Sequence, residues 1–272
     1  MTPLLLCGVA CLSACHSLSY RPLSPRAIDT TVVYQSSQLL DDQPQIQRGQ
    51  PRPVVDGFGW LWGIPSKLLL WDRRVENHRI GADTEVAVAN YLALNDLSSV
   101  RVRLNQYRPG EDWRRLVRNR SVGAGWRYSV GTLSVLGETI IPGRLFGGDH
   151  YNPFTNTVHI YSDIPAIALH EGAHAKDWSR RRWKGTYAVA YLFPVVPLYH
   201  ESVASRDVVA FLEAHGTREE QAAAQRILLP AYATYVGNAG GYALPAYSLP
   251  LYYGSVVAGH AWGRYQSHQL LR

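Results

Sequence analysis

The sequence predicts an α+β fold, mainly helical, with a small sheet and an apolar helical region towards the carboxy terminus. Three observations predict it. Ala82–Leu94 carries Val86, Ala89, Asn90 and Ala93 at helical spacing. Two short segments, 98–107 and 155–161, alternate apolar and polar residues as strands do. Between Arg226 and Arg264 no Asp, Glu, Lys or Arg occurs, in a stretch rich in Ala, Gly, Tyr and Leu. A chain of 272 residues, 46% of them hydrophobic, can bury a sizeable core, so wholesale disorder is excluded. Only 18% of residues are charged, against about 25% in an ordinary soluble domain. Some surface is therefore expected to face something other than water. The net charge of +6 and the pI near 9.3 suit a polyanion or an anionic membrane. Arg180, Arg181 and Arg182 form the only run of three basic residues, without a recognition motif, so no nucleic-acid partner is expected.

The amino terminus reads as an address. Residues 3–14 are apolar and uncharged, and too few for an ordinary membrane span. They end in Leu12-Ser13-Ala14-Cys15. Small residues before a cysteine resemble the lipobox of bacterial lipoproteins, which implies a signal peptide over 1–14 and lipidation of Cys15. The resemblance further implies an envelope protein, and His16 in place of Asp favours the outer membrane, facing the periplasm. Cys7, Cys11 and Cys15 are the only cysteines, so a disulfide framework or a Cys-ligated metal is ruled out in the body. Residues 15–53, rich in Ser, Pro, Gln and Arg, read as a flexible tether.

The folded body is expected from Val54. Trp60, Trp62 and Trp71 lie in a Gly- and Leu-rich segment that reads as core, apolar hairpin or interfacial element. Segment 98–107 sets Val100, Val102 and Leu104 against Arg101, Arg103 and Asn105, the pattern of a half-exposed strand. Pro109-Gly110 breaks the chain, and 111–119 reads as a basic helix. Segment 123–143 is punctuated by glycine and reads as strand or membrane-facing loop. In 155–161, Val158 and Ile160 share a face. Asp163-Ile164-Pro165 then opens a helix with a capping residue and an early proline. The domain carrying this chemistry is expected over 54–226. Residues 227–272 form an apolar region that either packs as close Ala/Gly-rich helices or dips into a membrane.

That helix contains His170-Glu171-Gly172-Ala173-His174, an HExxH pattern. Histidines at i and i+4 lie on one helix face, so both imidazoles can bind one Zn²⁺. Glu171 sits about 100° round the helix from His170, which suits a general base acting on water rather than a ligand. A catalytic zinc needs a third protein ligand and an open position. Arg180 stands where the third His of an HExxHxxGxxH pattern would fall. The next candidate is Glu201, which shares a projected helix face with Ala204, Ser205, Val208 and Leu212. A carboxylate on such a stripe needs a partner, and a metal is one.

HExxH joined by a later helical Glu resembles the gluzincin clan of zinc metallopeptidases. The resemblance covers 152–213 and implies a zincin-like core. It implies His170, His174 and Glu201 as metal ligands, Glu171 as the catalytic base and Zn²⁺ as cofactor. It also implies that 155–161 is an edge strand pairing with a polypeptide substrate in extended conformation. The clan's usual Asp four residues after the third ligand is Ser205 here, and Asp177 is the candidate to orient a ligating imidazole instead. Tyr199, His200 and His159 are candidates for stabilising an oxyanion. The expectation is a zinc-dependent peptidase of the bacterial envelope. Two alternatives are a non-enzymatic lipoprotein whose metal only staples helices, and a maturation factor that binds membrane proteins through 227–263.

Overall fold

The computed structural model describes residues 44–272. The signal peptide expected over 1–14, Cys15 and most of the expected tether lie outside the described residues. The chain forms two compact units, which divide between Ala190 and Tyr191. The boundary expected near residue 226 therefore falls earlier, and Glu201 belongs to the second unit.

The first unit is built from β1 (Ile46–Arg48), α1 (Pro53–Trp62), α2 (Ile64–Leu70), α3 (Ala82–Leu94), β2 (Arg101–Leu104) and α4 (Pro109–Arg118). A continuous helical stretch follows: a turn at Ala124–Trp126, a π-helical turn at Arg127–Gly131, and α5 (Thr132–Ile140). Then come β3 (His150–Asn152), β4 (Thr157–Ile160), α6 (Pro165–Ser179) and α7 (Lys184–Ala190). The fold is thus mainly helical with a small mixed sheet, as expected. Ile46–Arg48, ahead of the expected start at Val54, is already part of the sheet, because β1 pairs in parallel with β2.

The sheet order is β1-β2-β4-β3, with β1–β2 and β2–β4 parallel and β3–β4 antiparallel. This corrects an expectation. β4 is interior, with a partner on each side, so it offers no free edge to a substrate. The edge beyond it belongs to β3. The reason is non-local: 150–152 folds back on 157–160 through a turn whose last residue, Asn156, has φ 53°. Asparagine tolerates that left-handed conformation.

Strand register separates two faces. Ile46, Val102, Val158 and Tyr151 fall on one, beside the apolar packing of α3 and α6. Gln47, Arg103, His159 and His150 fall on the other. At β2 the second face does not meet water. Arg101 and Arg103 are fully buried, so β2 is not half-exposed. α4 covers it with acids: Asp112 Oδ1 lies 2.9 Å from Arg103 Nη2, and Glu111 Oε2 lies 3.7 Å from Arg101 Nη1. The alternation in 98–107 is real, but its polar half faces a charged layer inside the protein. Burial pushes the Asp112 carboxyl up to about 7, against the opposing pull of Arg103.

Segment 123–143 is helical, not strand or loop. Its glycines serve packing: a Cβ on Gly131 would meet Phe154 Cδ1 at 2.8 Å and Leu116 Cδ1 at 2.9 Å. Those residues form a local core with Val122 and Val135.

Segment 57–71 forms α1 and α2, and its large apolar residues are not core. Phe58, Leu61, Trp62, Leu68 and Trp71 are all exposed. The contacts that hold the pair are small or polar. Gly59 sits against the Arg144 carbonyl and His78. Lys67 Nζ donates to the Trp60 and Glu76 carbonyls. Arg144 clamps Asp56 with bonds of 2.7 and 3.0 Å. Asp163 also differs from expectation. It accepts bonds from Gly81 N and Thr84 Oγ1, which ties down the start of α3, and Ile164 takes the capping position of α6.

The second unit contains α8 (Val196–His215), α9 (Arg218–Ala243) and α10 (Ser248–Leu270). Thr217 and Glu220 close a reciprocal cap on α9. α9 and α10 run antiparallel and approach closely at glycines. A Cβ on Gly237 would lie 2.6 Å from Tyr252 Cα, and one on Gly263 would lie 2.6 Å from the Gln225 carbonyl oxygen. The apolar stretch after Arg226 is thus a closely packed helix pair. Among the described residues, no helix is long and apolar enough to cross a membrane.

Candidate metal centre

The sequence of α6 explains how its histidines are displayed. Pro165 starts the helix, where a missing N–H costs nothing. Ala168, Leu169, Ala173 and Ala175 are buried, and the small side chains let α3 approach. The closest approach is at Gly172, where a Cβ would meet the ring of Tyr91 at 2.8 Å. Tyr91 is fully buried and has no room to retreat. Gly172→Val is therefore expected to lower stability by about 1–3 kcal/mol through overpacking. Chemical denaturation of the variant against wild type checks it, and an unchanged midpoint would show that α3 and α6 separate easily here.

His170 and His174 are half-buried on the same face of α6. Their Nε2 atoms are 3.1 Å apart and the rings meet edge to face, with centroids 4.6 Å apart. Two nitrogens each ~2.0–2.1 Å from one tetrahedral metal would be roughly 3.3 Å apart. The pair thus fits a divalent metal without a change of rotamer class. Glu171, between them in sequence, is 8% exposed.

In the second unit, Glu201 is 4% exposed near the start of α8. Ala204, Val208 and Leu212 of the projected stripe are buried with it, and Ser205 is half-buried. Tyr191 donates its hydroxyl to Glu201 Oε1 at 2.7 Å. Burial and the Glu201 carboxylate together hold the Tyr191 hydroxyl well above its ordinary pKa, so it remains a donor at neutral pH. Tyr191 was not singled out from the sequence. Nothing in its local pattern distinguishes it from the other tyrosines of this stretch.

Among the described residues, Glu138, His150 and His159 of the first unit form a group that could hold a metal ion, and sequence reasoning missed it as a group. No family model matches the chain, and neither a curated protein nor a solved structure matches it. The likeness to the gluzincin clan therefore rests on the motif residues themselves.

Asp177, the candidate to orient a ligating imidazole, accepts from Arg181 Nη2 on one carboxylate oxygen and from the Tyr187 hydroxyl on the other. His159 is misplaced for the oxyanion role. It points to the sheet face opposite Tyr151, and Tyr151 is the one that meets Trp178 of α6 at 6.2 Å. Tyr199 is exposed, and His200 is buried against the Tyr191 ring at 5.2 Å.

The group of Glu138, His150 and His159 is built on strand register. His150 and His159 are direct cross-strand partners and stack with centroids 4.6 Å apart and planes 10° from parallel. His150 Nε2 lies 3.1 Å from Glu138 Oε1. Burial alone would lower the His150 pKa, but the Glu138 carboxylate outweighs it and holds the ring at about 9. Burial and the neighbouring His150 charge keep His159 neutral.

Proposed function

We propose that this chain is a zinc-dependent metallopeptidase acting at a membrane of the bacterial envelope. The observation that carries the reading is the convergence of two Nε2 atoms at 3.1 Å on one helix, with a buried Glu immediately after the first histidine. In this reading His170, His174 and Glu201 hold the metal in a zincin-like core, and Glu171 is not a ligand. Zinc, when bound, supplies Lewis acidity to a carbonyl and lowers the pKa of water beside it. Glu171 holds the attacking water and accepts its proton on a carboxylate oxygen, then returns it to the leaving amine. Tyr191 keeps Glu201 oriented by its 2.7 Å bond.

A purely structural metal would call for a fourth protein ligand. Asp177, one candidate for that place, already accepts from Arg181 and Tyr187. A staple also has no use for Glu171. The substrate in this reading is an extended polypeptide that adds to the outer edge of β3 rather than to β4. The exposed Trp, Phe and Leu side chains of α1 and α2 suit a face held against lipid by an acylated Cys15.

The test is metal content. After loading with Zn²⁺ and desalting, Glu201→Ala is expected to lose at least tenfold in zinc affinity relative to wild type, and Tyr191→Phe about tenfold. Unchanged zinc affinity in Glu201→Ala would remove Glu201 from the ligand set.

A further inference from the structure

We infer that Glu138, His150 and His159 form a second divalent-metal site, independent of the HExxH helix. Three features point to a ligand there. The candidate donor atoms of the three residues lie within 4.8 Å of one another. His159 is 95% buried by its 5% exposure, and its Nε2 has no hydrogen-bond partner among the described residues. Glu138 Oε2 is likewise buried without a partner. These two orphaned atoms belong to the same cluster, and their residues line the same small cavity, of about 10 Å³, together with Tyr107, Asp112 and Tyr161. That is space for about one water or ion.

The surroundings are those of a metal site whose ligands are held in place from behind. The ring nitrogen of His150 that points away, Nδ1, lies 3.0 Å from the Gly148 carbonyl. Donation of its N–H there leaves Nε2 as the nitrogen facing Glu138 and the cavity. Asn152 Nδ2 donates to Glu138 Oε1 at 2.7 Å and is itself 3.1 Å from Ser134 Oγ. The carboxylate is thereby turned so that its other oxygen remains available. Antiparallel register places the two histidines side by side, so the arrangement is part of the sheet and not of a loop. Two imidazoles and one carboxylate favour a first-row transition ion such as Zn²⁺ or Co²⁺ over Ca²⁺ or Mg²⁺. Such an ion would tie the edge strand β3 to α5 across the buried polar face.

The experiment is Co²⁺ binding to the full chain, followed by equilibrium dialysis and visible absorption. A His170→Asn/His174→Asn chain lacks the first metal set, so it reads the second site alone. It is expected to bind about one Co²⁺ with the absorption of a nitrogen- and oxygen-ligated ion. Adding His159→Asn or Glu138→Gln to that chain is expected to abolish this binding. Glu138→Gln keeps the size of the side chain and its bond from Asn152, and circular dichroism confirms the fold of each variant. No stoichiometric Co²⁺ in the His170→Asn/His174→Asn chain overturns the inference, as does undiminished binding after Glu138→Gln. A failure of the HExxH reading looks different: wild type would then bind one Co²⁺, all of it lost with His159.

Discussion

Glu171→Gln is expected to lower peptide hydrolysis by about 10²–10⁴-fold while the chain keeps its zinc. Gln matches Glu in size but takes no proton at neutral pH, and a positioned general base typically contributes that factor. The residue is 8% exposed on α6, beside His170, so the variant changes no packing volume. Substrate binding is expected to survive, so the loss falls on kcat rather than KM. The measurements are steady-state cleavage of an unstructured protein or quenched peptide, with zinc content alongside. Full turnover by the zinc-loaded variant would assign the base elsewhere. Loss of zinc together with turnover would make Glu171 a ligand.

Arg103→Ala is expected to destabilise the first unit by about 3–5 kcal/mol, the usual cost of stranding one partner of a buried ion pair. That is a large part of the about 5–15 kcal/mol by which a domain is stable. The Arg103 side chain is fully buried and Asp112 only 6% exposed, so water screens the pair little. Arg103 also donates to the Arg108 carbonyl at 3.0 Å, which sets the start of α4. A double change of Arg103→Met and Asp112→Leu removes both charges together, and is expected to cost much less than the single change. Urea denaturation of the three chains checks this. If the double variant is as unstable as Arg103→Ala, then lost packing and not the stranded carboxylate is the cause.

The Arg101–Arg103 layer shows why some of the fold could be read in advance and some could not. Ala82–Leu94 and the helix around HExxH follow from residues three and four apart, and such neighbours meet on any helix. The convergence of His170 and His174 is of this kind. So is the buried stripe of Glu201, Ala204, Val208 and Leu212. Period-two alternation located β2 and β4 just as well. It could not say what lay against each face, because α4 reaches β2 from the other side of a turn.

The sequence by itself determined the elements that depend on short spacing: the HExxH pair, the strands β2 and β4, and the helices α3, α4, α6 and α8. It also determined the chemistry on offer, since two histidines one turn apart with a glutamate between them are a local fact. Tertiary structure alone decided that β4 lies inside the sheet, because strand order is set by pairing between distant segments. It decided that α1 and α2 expose their aromatic residues, and that Asp177 serves Arg181 and Tyr187. It also brought Glu138, His150 and His159 into one cluster. Each of those outcomes depends on which surfaces cover one another, and burial is a property of the assembled chain that no local spacing encodes.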